Sequence, residues 1–273
     1  MRRLPEPGAA VITGAASGLG RSIAASLARG GWRLALVDLA DAVARCHEVA
    51  ELARAGGGEA IVEPLDVRDA DGWRRLHDRL RSEWPTCELL VNSAGVGAAG
   101  LVGSLPEAQW RRVIDTNLVG MAVGCETFLP WLRSHPVRSQ LVNVASIAGI
   151  IAPASMAAYS ASKAGVIALS ESIAAECRPG RPGVTIVCPG FFRSGLLDTW
   201  HFTSPVESRE AVRRMKGSRW TAEAVADRVL SAARANRRYV VVGRTARWIW
   251  RLKRLAPVAT TGLMRAAYDR LRR

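Results

Sequence analysis

The sequence predicts a doubly wound α/β domain, a single parallel sheet with helices packed on both faces. Three observations predict it. Short apolar runs alternate with helix-period stretches along almost the whole chain, as a parallel sheet and its crossover helices require. The first apolar run passes directly into a glycine-rich turn and then a helix-forming stretch. The 273 residues hold neither an internal repeat nor a low-complexity linker, so the length reads as one large domain.

In chain order, the strand candidates are Ala9–Thr13, Arg33–Asp38, Ala60–Leu65, Glu88–Asn92, Gln140–Ser146, Gly183–Cys188 and Tyr239–Val242. Amphipathic stretches near 19–30, 41–55, 69–83, 106–133, 156–177 and 221–235 lie between them. Residues 139–162 carry no charge and resemble a membrane span by hydropathy alone. Asn143, Ser146, Tyr159 and a division at Pro153 point instead to a buried strand, a turn and a buried helix. Two stretches break the rhythm. A polar-aromatic insertion near 194–219 reads as a mobile substrate lid, and residues 244–273 read as a basic tail after a catalytic domain of residues 1–243.

After the first strand comes Thr13-Gly14-Ala15-Ala16-Ser17-Gly18-Leu19-Gly20, followed by a helix. Glycines there let main chain approach a pyrophosphate, and the helix N-terminus offers free N–H groups and a positive dipole end. Gly14, Ser17, Gly18, Leu19 and Gly20 are therefore candidate dinucleotide contacts. Asp38 ends the second strand, where a carboxylate accepts hydrogen bonds from ribose hydroxyls and repels a 2′-phosphate. A helix N-cap is the other reading of Asp38. No Arg or Lys lies in the turn or immediately after Asp38, which favours NAD over NADP.

Tyr159 and Lys163 are four apart in a helical stretch and emerge on one face. A phenol is a poor base at neutral pH, and a neighbouring ammonium moves it towards general acid/base work. Ser146 ends the preceding strand, where its hydroxyl is placed to hold a substrate oxygen beside Tyr159.

Together these residues resemble the short-chain dehydrogenase/reductase family, from about Ala9 to Val242. TGAASGLG is similar to the family's TGxxxGxG, and Ser146, Tyr159 and Lys163 to its Ser and Y-x-x-x-K. The resemblance implies a Rossmann-like fold and an oxidoreductase acting on CH–OH groups with NAD(P). It implies that Asp66 and Val67 meet the adenine, and that Asn92, Ala94 and Gly95 of an NSAG segment steady the sheet and border the cofactor. Pro189 and Gly190 would pack beside the nicotinamide and Ser194 would meet its carboxamide. Tyr159 would be the acid/base, Ser146 would orient the substrate oxygen, and Lys163 would bind the ribose and lower the Tyr159 pKa. Asn117 would hold a water in a proton relay. A homodimer or homotetramer joined through 106–133 and 156–177 is also implied. Ser93, Phe192 and Ser194 depart from the family's usual Asn, Val and Thr.

The loop Val96–Leu101, Ile147, Ile150, Ile151, Met156, Leu196, Leu197, Trp200 and Phe202 predict apolar pocket walls with few charges. The substrate expected is a lipophilic secondary alcohol or its ketone. An NADPH-dependent biosynthetic ketoreductase is the alternative enzyme. A non-catalytic NAD sensor is the alternative outside that class, although it would have no use for Tyr159 and Lys163.

Five dispersed cysteines without a C-x-x-C pair, and four histidines without ligand spacing, predict neither a disulfide framework nor a metal site. MRRLPEPG lacks the apolar core of a signal peptide, so a reduced, cytoplasmic setting is expected. The net charge of +14 is concentrated at the end: residues 244–273 carry nine basic side chains and one acid, Asp269. Periodicity places Trp248, Leu252 and Leu255 on one face and Arg247, Arg251 and Arg254 on another, then Leu263, Ala267, Tyr268 and Leu271 against Arg265, Arg270, Arg272 and Arg273. Such helices lie on anionic membranes, or pack on their own domain or a partner subunit. No nucleic-acid motif accompanies the charge, so nucleic acid is not expected as a partner.

Overall fold

The computed structural model describes residues 4–178 and 181–271. The chain runs β1 (Ala9–Thr13), α1 (Gly18–Arg29), β2 (Arg33–Asp38), α2 (Ala44–Ala55), β3 (Ala60–Pro64), α3 (Ala70–Glu83) and β4 (Leu89–Asn92). After the short β5 (Ala98–Ala99) come α4 (Glu107–Ile114), a π-turn (Asp115–Val119) and α5 (Gly120–Arg133). Then follow β6 (Gln140–Val144), α6 (Ala148–Ile151), α7 (Ala157–Glu176) and β7 (Gly183–Pro189). A 3₁₀ turn (Gly195–Thr199), β8 (His201–Phe202), α8 (Pro205–Lys216), α9 (Ala222–Arg234), β9 (Tyr239–Val242), α10 (Arg244–Leu255) and α11 (Pro257–Leu271) complete it.

Seven strands form one sheet in the order β3-β2-β1-β4-β6-β7-β9, and every pairing is parallel. The doubly wound prediction holds. Side chains alternate across the sheet: Ala10 and Ile12 of β1 pack with α1, α2 and α9, whereas Ala9 and Val11 pack with α3, α5 and α7. The winding reverses between β1 and β4, which leaves a crevice at the carboxyl ends of the strands where ligands of such sheets bind.

Some boundaries differ for physical reasons. β6 stops at Val144 because Ser146 turns the chain into α6, its Oγ accepting from Ala148 N at 3.1 Å. The stretch 106–133 divides at the π-turn carrying Asn117, a distortion often found at functional sites. The insertion 194–219 is built of regular elements. β8 pairs with β5, and α8 opens with Pro205 behind Ser204, whose Oγ accepts from Val206 N. The uncharged stretch 139–162 is divided among β6, α6 and the start of α7, and no helix among the described residues is long and apolar enough to cross a membrane.

The tail forms two helices, with the inward side of α10 rotated from expectation. Ala246 is buried and Ile249 and Trp250 half-buried, while Trp248 is 73% exposed. The rotation follows from packing: the Trp250 ring lies 5.7 Å from that of Tyr239. On α11, Thr260 is buried and Met264, Ala267 and Tyr268 half-buried, whereas Leu263 is exposed. Arg272 and Arg273, and the Leu271 side chain, lie outside what is described.

Candidate active site

A cleft of about 1220 Å³ opens at the crevice. At one end the turn after β1 brings main chain against main chain. Gly14 has φ +68°, and a Cβ there would sit 2.9 Å from Ala94 N. A Cβ on Gly20 would lie 2.2 Å from Gly14 O. Only hydrogen fits at either position, so the turn stays tight and the start of α1 faces the cleft. Ser17 makes no side-chain cap and the first turn of α1 carries no acid; its free N–H groups are a ready anion site. Thr13 Oγ1 accepts from Ser93 N (3.0 Å) and Ala94 N (3.1 Å), locking the turn to the end of β4.

Asp38 lines this end. Its carboxylate accepts from Ala16 N at 2.8 Å and Leu39 N at 2.9 Å. The N-cap reading is excluded, because α2 begins only at Ala44. Arg68 holds Asp66 through a side-chain bond of 2.6 Å and keeps that carboxyl below its ordinary pKa. Two basic groups not anticipated from the sequence line this end: Arg68, and Arg45 on α2, which reaches back to Ala16 O at 3.4 Å. These residues fit a dinucleotide, with a turn that admits no Cβ, an open helix N-terminus and the Asp38 carboxylate beside them.

At the centre, α7 presents Tyr159 and Lys163 beside Ser146, and all three are buried yet line the cleft. Lys163 Nζ donates to Val144 O at 2.9 Å and lies 5.8 Å from the Tyr159 ring centre. The expected lowering of the Tyr159 pKa by Lys163 is not what this geometry produces. Burial pushes the phenol up to about 12, opposed by its hydrogen bond with Ser146. Burial also lowers Lys163 to about 8. Both shifts share one cause, the cost of charge in a dry site.

Asn117 is wholly buried. Its amide donates to Val96 O (2.9 Å) and Ser162 Oγ (3.0 Å), and its Oδ1 accepts from Val96 N (2.8 Å). The side chain thus clamps the loop after β4 to α7. Asn92, expected to steady the sheet and border the cofactor, donates to Asn143 Oδ1 of the neighbouring strand β6 at 2.9 Å and does not line the cleft. Gly20, Asn92 and Asn117 therefore support the cleft from behind. Gly14, Ser17, Gly18, Leu19, Asp66, Val67, Ala94, Gly95, Pro189, Gly190 and Ser194 line it directly.

Over Tyr159 lies Trp200, with ring centres 5.1 Å apart. Trp200 packs on Gly97, where a Cβ would come within 1.9 Å of the indole. Beyond it the cleft is lined by Leu101, Ile147, Ile151, Met156, Leu196, Leu197 and Phe202, as expected. Ile150 packs instead into the core beside α7. The expectation of few charges needs correction: Arg112, Glu207, Glu210 and Arg214 also line the cleft. α8 carries the last three there, and Glu210 pairs with Arg214 and Arg213. Ile249, Met264, Ala267 and Tyr268 of the tail complete the walls. No local motif signals these residues, because their position depends on how the tail packs.

Fold and cleft define the class: a doubly wound domain whose glycine-turn end and apolar end meet at a Ser–Tyr–Lys centre. A family model described as short chain dehydrogenase matches residues 8–203, and the chain belongs to that family. It is 31% identical over 256 residues to the probable oxidoreductase EphD of Mycobacterium tuberculosis, covering 91% of this chain but 43% of that protein. The chain thus spans less than half the length of that relative. It is 34% identical over 190 residues to the 3-oxoacyl-[acyl-carrier-protein] reductase FabG of Staphylococcus aureus, covering 69% of this chain and 76% of that one. A solved short-chain dehydrogenase/reductase of Burkholderia phymatum in complex with NAD superposes with a TM-score of 0.86 at 29% identity, over 93% and 95% of the two chains.

Proposed function

We propose that this chain interconverts a lipophilic secondary alcohol and its ketone with NAD, using Tyr159 as general acid/base. The observation that carries the reading is the convergence of Ser146, Tyr159 and Lys163 between an Asp38-bearing end and a largely apolar end of one cleft. NAD supplies the hydride acceptor for alcohol oxidation. Ser146 Oγ holds the substrate oxygen, and the Tyr159 phenolate takes the hydroxyl proton as the carbinol carbon loses hydride. Lys163 would bind the nicotinamide ribose, and its ammonium would oppose the rise in the Tyr159 pKa that burial causes. Asn117 keeps the adjoining loop in register and belongs to the proton path from Lys163. Trp200 excludes water above Tyr159. In the ketone direction Tyr159 returns the proton.

Asp38 supports NAD over NADP. Arg45, close to the same carboxylate, favours the second reading, an NADPH-dependent ketoreductase; turnover with each cofactor separates the two. Tyr159→Phe tests the mechanism, with loss of turnover expected while NAD still binds. Unchanged turnover would overturn it. The reading includes residues 1–243 as the catalytic unit, 194–219 as a substrate lid, a cytoplasmic setting and a homodimer or homotetramer through α4–α5 and α7. It also includes peripheral membrane contact through the amphipathic tail of residues 244–273.

A further inference from the structure

The α10–α11 pair has two unlike sides. Inward, Ile249, Met264, Ala267 and Tyr268 wall the cleft that contains Tyr159. Outward, Trp248, Leu255 and Val258 are 73%, 85% and 84% exposed, and Leu263 52%. A Trp, a Leu and a Val this bare within eleven residues form a patch rather than scattered surface residues.

Some arginines elsewhere on the molecule are paired with acids and others are not, whereas every exposed arginine of α10 lacks such a partner among the described residues. On α3, Arg74, Arg75 and Arg79 each pair with a carboxylate. On α10, the exposed Arg244, Arg247, Arg251 and Arg254 have no carboxylate within ion-pair distance among the described residues. Exposed apolar side chains also stand on the cleft rim in two other segments. Leu101 and Val206 both line the cleft and face solvent, and Val102 beside Leu101 is 77% exposed.

Four arginines without acidic partners favour an acidic counterpart, and the bare Trp, Leu and Val interleaved with them favour an apolar one. A second copy of this chain fits poorly, since a twofold contact through this face would set arginine against arginine. An anionic bilayer supplies both needs, with headgroups for the arginines and acyl chains for the apolar side chains. We propose that the outer face of α10–α11, with the cleft rim, docks on an anionic lipid surface. A lipophilic alcohol then passes from the bilayer into the cleft along the tail's inner wall. The docking face deepens the membrane contact proposed above for the tail, and the second half of this inference rests on the lipophilic-alcohol reading as well.

The test uses the full chain and vesicles of phosphatidylcholine with or without phosphatidylglycerol. Co-sedimentation should be at least about tenfold stronger with the anionic vesicles and fall at high salt. The triple variant Trp248→Ser, Leu255→Ser, Val258→Ser changes only bare side chains, so folding and NAD binding should persist. Its binding to anionic vesicles should fall at least about tenfold. Its turnover of a long-chain 2-alkanol held in those vesicles should fall similarly, with turnover of a short water-soluble 2-alkanol unchanged. No preference for anionic vesicles, or equal binding by the triple variant, would overturn the docking face. So would a wild-type dimer that the triple variant converts to monomer, which would assign the face to a second copy. Equal turnover of vesicle-held alcohol by both proteins would overturn the delivery route. Failure to turn over either alcohol would strike the alcohol reading and, with it, the delivery route, while sedimentation alone decides the docking face.

Discussion

The two ends of the cleft are built differently. The cofactor end is mostly main chain: Gly14 against Ala94, Gly20 against Gly14, and the amides of Ser93 and Ala94 on Thr13. The substrate end is mostly side chain, drawn from segments as distant as Leu101, Trp200, Glu207 and Tyr268. Main-chain packing of that kind tolerates almost no substitution, whereas side-chain walls repack. One end is therefore specified by a short local motif, and the other is open to change without loss of the fold.

The largest effect should fall where the two ends meet. Tyr159→Phe should lower kcat by about 10³-fold, as loss of an acid/base group does, with NAD affinity by titration calorimetry nearly unchanged. Next is Gly20→Ala. Its Cβ would meet Gly14 O at 2.2 Å, so backbone must move; NAD affinity should fall by about tenfold or more and stability by about 1–3 kcal/mol. Denaturant unfolding checks the second figure.

Gly97→Ala is the matching change at the substrate end. Its Cβ would strike the Trp200 indole, a side chain that can swing away. We expect kcat/KM to fall by about tenfold through misplacement of the cover over Tyr159, with NAD affinity and unfolding midpoint retained. Equal damage to NAD binding by both glycine variants would break the contrast.

The smallest effect is in the pH profile. With Tyr159 near 12 and Lys163 near 8, the form required for oxidation is phenolate beside ammonium. Below about pH 8 the ammonium is complete and the phenolate fraction rises with pH. Above it the phenolate gain and the ammonium loss cancel. Log kcat/KM for oxidation should therefore climb with unit slope and level near pH 8. Lys163→Met, slower throughout, should show no such break.

Legibility in the sequence follows the same division. The glycine turn, Asp38 and the Tyr159–Lys163 pair were readable because their spacing alone sets their geometry on one strand, turn or helix face. The seven strands of the main sheet were readable from apolar runs, to within two residues at their ends. Arg45 was not, because its approach to Ala16 depends on how α2 returns across the turn. Nor was the inward side of α10, where helical periodicity grouped Leu252 with Trp248. The structure turns Ile249 and Trp250 inward because Tyr239 and the cleft receive them. The side-chain direction of Asn92 was not readable either, since it depends on Asn143 of the neighbouring strand β6 and Cys125 of α5 as partners.

The central claim is that the centre at Tyr159 joins an NAD end to an apolar alcohol end. NAD reduction by the wild-type chain, followed by nicotinamide absorbance across a homologous series of 2-alkanols, tests it most directly. The account predicts that kcat/KM rises with chain length, by up to about fourfold per methylene while the added carbons are buried, and exceeds the NADP value throughout. A flat series, a preference for small polar alcohols, or turnover with NADP alone would contradict it.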